Sequence, residues 1–181
     1  MLNRRNYLII FSTALLIFSI FGFLTVSPTA HAAPTQDMSA GKKFTMHAAD
    51  CNHLSKAPSY VQTYVAQHNY CKKPHSVTPG DCGVLLVAVQ QANLGQADFI
   101  VEIFSSVGPI TYVSFDGNWV NYTRKTGSYI GDTEFPNEVN WQYSRKVNTG
   151  SGDVQFLVPS VIQVTASSLC FGSGSDETYI S

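Results

Sequence analysis

The sequence predicts an exported, mainly β protein: an antiparallel β-sandwich of about seven strands preceded by a short N-terminal helix. Three observations predict it. The chain opens with a basic, then apolar, then small-residue segment; it carries four cysteines, all downstream of that segment; and beyond Cys82 it breaks into short β-like runs separated by turn residues. The 181 residues are 44% hydrophobic, 12% aromatic and only 13% charged, as expected for one ordinary domain with an apolar appendage.

Arg4 and Arg5 precede an apolar stretch from Tyr7 to Val26, followed by Ser27-Pro28-Thr29-Ala30-His31-Ala32. That order is a positive region, a hydrophobic region and an Ala-x-Ala cleavage site, the pattern of a secretory signal peptide over residues 1–32. If the segment stays uncleaved, residues 7–26 are long enough to anchor the chain in a membrane, and membrane contact is expected only in that case. Cleavage after Ala32 leaves 149 residues with nine Lys+Arg against 12 Asp+Glu. Such a surface has no basic surplus to neutralise phosphates, so nucleic acid is excluded as the expected partner.

An exported chain meets an oxidising environment, where an even number of cysteines reads as disulfides. Three pairings of Cys51, Cys71, Cys82 and Cys170 are possible. The favoured one joins Cys51 to Cys71 around a helical segment and Cys82 to Cys170 between the first and last strands of the β domain.

Residues 33–54 show little periodicity and read as a flexible leader. Residues 55–76 form a short helical segment: Tyr60, Val61, Tyr64, Val65 and His68 share one helical face over 58–69, with Pro58 suited to the first turn. Lys72-Lys73-Pro74 and Thr78-Pro79-Gly80-Asp81 then break the chain before a β domain at 77–181. Its expected strands are 84–91, 98–106, 109–115, 118–125, 139–147, 153–158 and 161–170. Trp141, Tyr143 and Val147 alternate with Gln142, Ser144 and Lys146, as in a strand with one wet face. Asp116-Gly117-Asn118 reads as a hairpin turn and Asn148–Asp153 as a second such connection. Pro159 marks a break or an edge, and Gly172-Ser173-Gly174-Ser175 a flexible tail.

Asp81-Cys82-Gly83-Val84-Leu85-Leu86 resembles the Asp-Cys-Ser-Gly start of the catalytic helix in cell-wall cysteine peptidases. That family places its Cys before its His, whereas all five histidines here (31, 47, 53, 68 and 75) precede Cys82. Sortase-like transpeptidases use the order His, Cys, Arg, for which His75 and Cys170 would serve, but the last arginine is Arg145. Both chemistries need a free thiolate, which disulfide pairing removes. The clusters His47, Cys51, His53 and His68, Cys71, His75 match no familiar zinc spacing, so no metal and no cofactor are expected. Asp98 with Glu102, and Glu134 with Glu138, are four apart, which in a strand is about 13 Å and too far for a glycosidase pair.

What remains is an aromatic supply in a chain of sparse charge. Tyr112, Trp119, Tyr122, Tyr129, Trp141, Tyr143 and Arg145 sit among amides and hydroxyls, the side-chain mixture of a wet contact with a sugar or protein. The expectation is a secreted, disulfide-stabilised, non-catalytic module that binds a glycan or protein at a cell surface. Two alternatives stand beside it: an envelope enzyme using a free Cys or the His-rich segment 47–75, and a small inhibitor or effector presenting a loop at 126–138.

Overall fold

Eight antiparallel strands form one sheet in a computed structural model that describes residues 41–72 and 81–181. The signal segment and His75 lie outside the described residues. The strands are β1 (Lys42–Ala48), β2 (Asp81–Asn93), β3 (Gln96–Ser105), β4 (Ile110–Asn121), β5 (Thr126–Glu134), β6 (Asn140–Asn148), β7 (Gly152–Thr165) and β8 (Leu169–Ile180). Their order across the sheet is β5-β4-β7-β8-β1-β2-β3-β6.

The sheet curls so that its largest cluster of bulky side chains is enclosed on one face. Phe99 of β3 packs 5.0 Å from Phe156 of β7 and 5.9 Å from Trp119 of β4, although several strands separate them along the ladder. The two halves therefore face each other as sandwich layers do, within one half-barrel whose concave face holds the main core. The mainly β, antiparallel architecture is the one expected from the sequence.

The helix α1 (Ser59–His68) forms where its periodicity placed it. Pro58 precedes its first turn and accepts from the Val61 and Gln62 amides, and Asn69 ends it at φ 50°, a left-handed geometry that Asn tolerates. Val61 and Val65 are buried, forming with Leu169, Ala49 and Tyr70 a second cluster on the convex face at the ends of β7 and β8. Burial raises the Tyr60 and Tyr64 phenols to about 12.

Both disulfides pair as favoured. Cys51–Cys71 closes a loop around α1, and Cys82–Cys170 joins β2 to β8, the strands that flank β1, with Cα atoms 6.0 Å apart. All four cysteines are thereby consumed, which removes the free thiol that one form of the enzyme alternative used. Among the described residues no three His, Cys, Asp or Glu side chains gather as metal ligands, and no helix is long and apolar enough to cross a membrane.

Several local expectations are corrected. Within the expected leader, Lys42–Ala48 is β1 and Cys51–Lys56 a 3-10 turn capped by Asp50. Met46 is fully buried with Phe44 packed beside it, an alternation too short to stand out in sequence. The β region accordingly takes in a strand that precedes the helix, so 77–181 alone is not the whole sheet. Asp116-Gly117-Asn118 is the interior of β4, not a hairpin, and faces a bulge in β7, so 109–115 and 118–121 belong to one strand. A Cβ on Gly117 would lie 2.8 Å from both the Ile130 carbonyl oxygen and the Phe156 ring, so close approach, not a turn, demands this glycine. Pro159 sits in that bulge, between Val158 and Val161, and leaves β7 continuous and central. The 148–153 connection joins β6 to β7, which are not neighbours, so it is a crossing and not a hairpin. Residues 126–134 of the expected loop are edge strand β5, and the expected tail is β8. Gly174 pairs with Val158 of β7, and the position is glycine because the Phe44 ring occupies the space where a Cβ would be.

Candidate binding face

Strand parity decides which expected contact residues reach solvent. On β4 the odd positions from Val113 to Asn121 turn into the core, so Trp119 is 6% exposed and stacks on Phe99. On β6 the same parity buries Trp141, 3% exposed, while half-buried Tyr143 meets Phe115 edge-on at 4.9 Å. The Trp141 indole N–H donates to Glu134 Oε2 at 2.7 Å, linking the two edge strands β5 and β6. These three aromatics build the core and not a binding face. Arg145 is exposed on β6 opposite Phe99, far along the ladder from the exposed tyrosines. Tyr112 is half-buried between Tyr64 of α1 and Phe135, ring centroids 5.6 and 5.4 Å away, and helps seat the helix.

Tyr122 and Tyr129 behave differently, each 57% exposed on the convex face of the β5-β4-β7-β8 half. Register assembles their neighbours. Tyr129, Asn118, Leu157 and Ser175 form one row across the four strands. Val120, Gln155 and Glu177 form the next, and Tyr122, Asp153 and Tyr179 the last, the Tyr122 amide donating to the Asp153 carbonyl. Tyr179 is 63% exposed and Leu157 45%, so three phenol rings and two aliphatic side chains stand open on a regular sheet.

Two of the rings are held by hydrogen bonds. Tyr122 donates to Gln155 Oε1 at 2.6 Å, and Tyr129 donates to Asp116 Oδ1 at 2.6 Å. Asp116 also accepts from Ser160 at 2.9 Å, and its hydrogen bond raises the Tyr129 phenol pKa. Such rings lose little further rotamer freedom on contact with a ligand. Between Tyr122 and Tyr179 lies a groove of about 390 Å³ bordered by Asp153, Val154, Gln155, Glu177 and Thr178. A second concavity, of about 500 Å³, lies where β1 and β8 meet Pro58 and Tyr60, with Lys43 and His47 at its rim.

Sequence reasoning missed Tyr179, Leu157, Asp153, Gln155 and Glu177. The alternation of Asp153, Gln155 and Leu157 with Val154, Phe156 and Val158 was a readable signal for one wet strand face. Tyr179 and Glu177 were hidden because they follow the Gly-Ser-Gly-Ser run at 172–175, which has the composition of a tail. Comparison with family models, with curated proteins and with solved structures finds no match to this chain.

Proposed function

We propose that the protein is a secreted, non-catalytic module whose convex face on β5, β4, β7 and β8 binds a glycan or protein outside the cell. The observation that carries the reading is the open row-by-row display of Tyr122, Tyr129 and Tyr179 beside Leu157, Val120, Asn118 and Gln155. Exposed aromatics on a rigid platform offer large apolar area at low entropic cost, with amides and carboxylates beside them for hydroxyl groups. The two disulfides support an oxidising, extracytoplasmic setting.

The test is titration of the isotope-labelled secreted protein with oligosaccharide and surface-protein panels, followed by amide chemical shifts. Shifts are expected on β4, β7 and β8, and Tyr122→Ala or Tyr179→Ala is expected to weaken binding about tenfold without changing the melting temperature. Shifts confined to β6 and the 135–139 connection, or no response from any panel, would overturn the reading.

A further inference from the structure

We infer that the groove between Tyr122 and Tyr179 is a subsite for the free ammonium group of an amino sugar. The inference rests on the binding reading above and narrows it to a ligand class. Tyr122 and Tyr179 are carried by strands that flank β7, so their backbones are separated by two strand spacings, about 10 Å. Asp153 of β7 stands between them in the same row, so a sugar ring laid on this groove meets a tyrosine at the groove's edge and a carboxylate beneath it. Asp153 and Glu177, both exposed, supply two carboxylates at the groove, and no lysine or arginine is among the residues that border it. The charged side chains that border the groove are therefore carboxylates, and the guest that complements them is a cation.

The type of cation follows from the acceptors. Asp153, Glu177 and the Gln155 amide present oxygens that accept hydrogen bonds, and the Gln155 oxygen already takes the Tyr122 hydroxyl. A primary ammonium can donate three hydrogen bonds to such acceptors, whereas a trimethylated ammonium donates none and favours a cage of aromatic rings. Only two rings flank this groove. A saccharide carrying an amine uses both features, its ring face against a tyrosine and its ammonium against the carboxylates.

The probe is a glucosamine tetramer with free amines, compared with its fully N-acetylated counterpart and with a lysine tetrapeptide, by calorimetry on the secreted protein. The free-amine tetramer is expected to bind about tenfold tighter than the acetylated one, two exposed charge contacts being lost on acetylation. The preference should shrink as salt is added and disappear in the Asp153→Asn, Glu177→Gln double variant, which preserves shape. Tyr179→Ala should weaken both tetramers. Equal affinity for the two tetramers with an unchanged double variant would overturn the ammonium subsite while leaving a glycan-binding face intact. Tighter binding of the lysine peptide would overturn the sugar assignment, and failure of all three probes alongside a responding protein partner would reject the amino sugar but keep the face.

Discussion

Asn121 ends β4 fully buried, and removing its amide tests how the half-barrel is closed at one end. Its Nδ2 lies 3.0, 3.2 and 3.3 Å from the carbonyl oxygens of Thr149, Gly150 and Ser151, and its Oδ1 accepts from the Arg124 amide at 3.0 Å. The 149–151 segment carries the chain from β6 to β7, across the end of the barrel, and donates through Thr149 and Gly150 to the Gly95 carbonyl. Gly95 in turn donates to the Ser181 carbonyl at 2.7 Å, so one side chain ties β4, the crossing, the β2–β3 turn and the C-terminal residue together. Two amide hydrogens and one acceptor make about three hydrogen bonds, each worth about 1 kcal/mol net, so Asn121→Ala should cost about 3 kcal/mol. For a domain of this size that lowers the melting temperature by about 6–12 °C. Urea denaturation followed by tryptophan fluorescence gives the free energy, and Trp119, on the same strand, reports locally.

Asn121→Asp sharpens the test because it keeps the shape and the Arg124 contact while turning a donor into an acceptor against three carbonyl oxygens. Its destabilisation should equal or exceed that of the alanine variant at neutral pH. A carboxyl in that setting has a folded pKa raised above its unfolded value, so the defect should ease as pH falls and the group protonates. A melting temperature for Asn121→Ala within about 2 °C of the parent, or an aspartate variant as stable as the parent, would refute the closure argument.

Other expectations address the core, the disulfides and the helix. Gly117→Ala should cost about 1–3 kcal/mol in thermal unfolding, because its methyl meets the Ile130 backbone oxygen and the fully buried Phe156 ring. Replacing Cys82 and Cys170 by alanine opens a loop of 88 residues and should cost about 4–5 kcal/mol, against about 3 for the 20-residue Cys51–Cys71 loop, in guanidinium titrations. Tyr60 and Tyr64 should ionise near 12 by tyrosinate absorbance, not at the usual 10. Because their folded pKa values are raised, their contribution to helix docking is complete below pH 10 and is lost as pH rises toward 12. Circular dichroism should therefore show α1 loosening in that alkaline window, and Tyr60→Phe, which cannot ionise, should delay it.

Local chemistry alone was enough for part of this molecule. Runs rich in Val, Ile and Phe at 84–91 and 98–106 and alternation in 139–147 identified β2, β3 and β6 to within a few residues of their ends, and the i, i+4 pairing of Val61 and Val65 identified the buried side of α1. Even cysteine content behind a segment that reads as an export signal implied two bridges. Each of these signals is carried by a few adjacent residues, so no distant partner is needed to read it.

Tertiary structure decided the rest, because the deciding atoms come from elsewhere in the chain. Asp-Gly at 116–117 has the chemistry of a tight turn, and only pairing with β5 and β7 makes it the interior of a strand, with the Phe156 ring and the Ile130 carbonyl leaving room for no side chain at 117. β8 carries glycines where Phe44 and Met46 of β1 press against it, so a central strand looks like a tail until its neighbour is known. The binding residues divided by the same logic. Seven aromatic and basic side chains stood as candidate contacts by composition, with Trp141 and Tyr143 also fitting the buried face of their strand; curling of the sheet turned Trp119, Trp141 and Tyr143 into the core, and register set Tyr122 beside Asp153 and Tyr179. Composition determines how many aromatic faces exist; which of them meet water depends on the strands against which they pack.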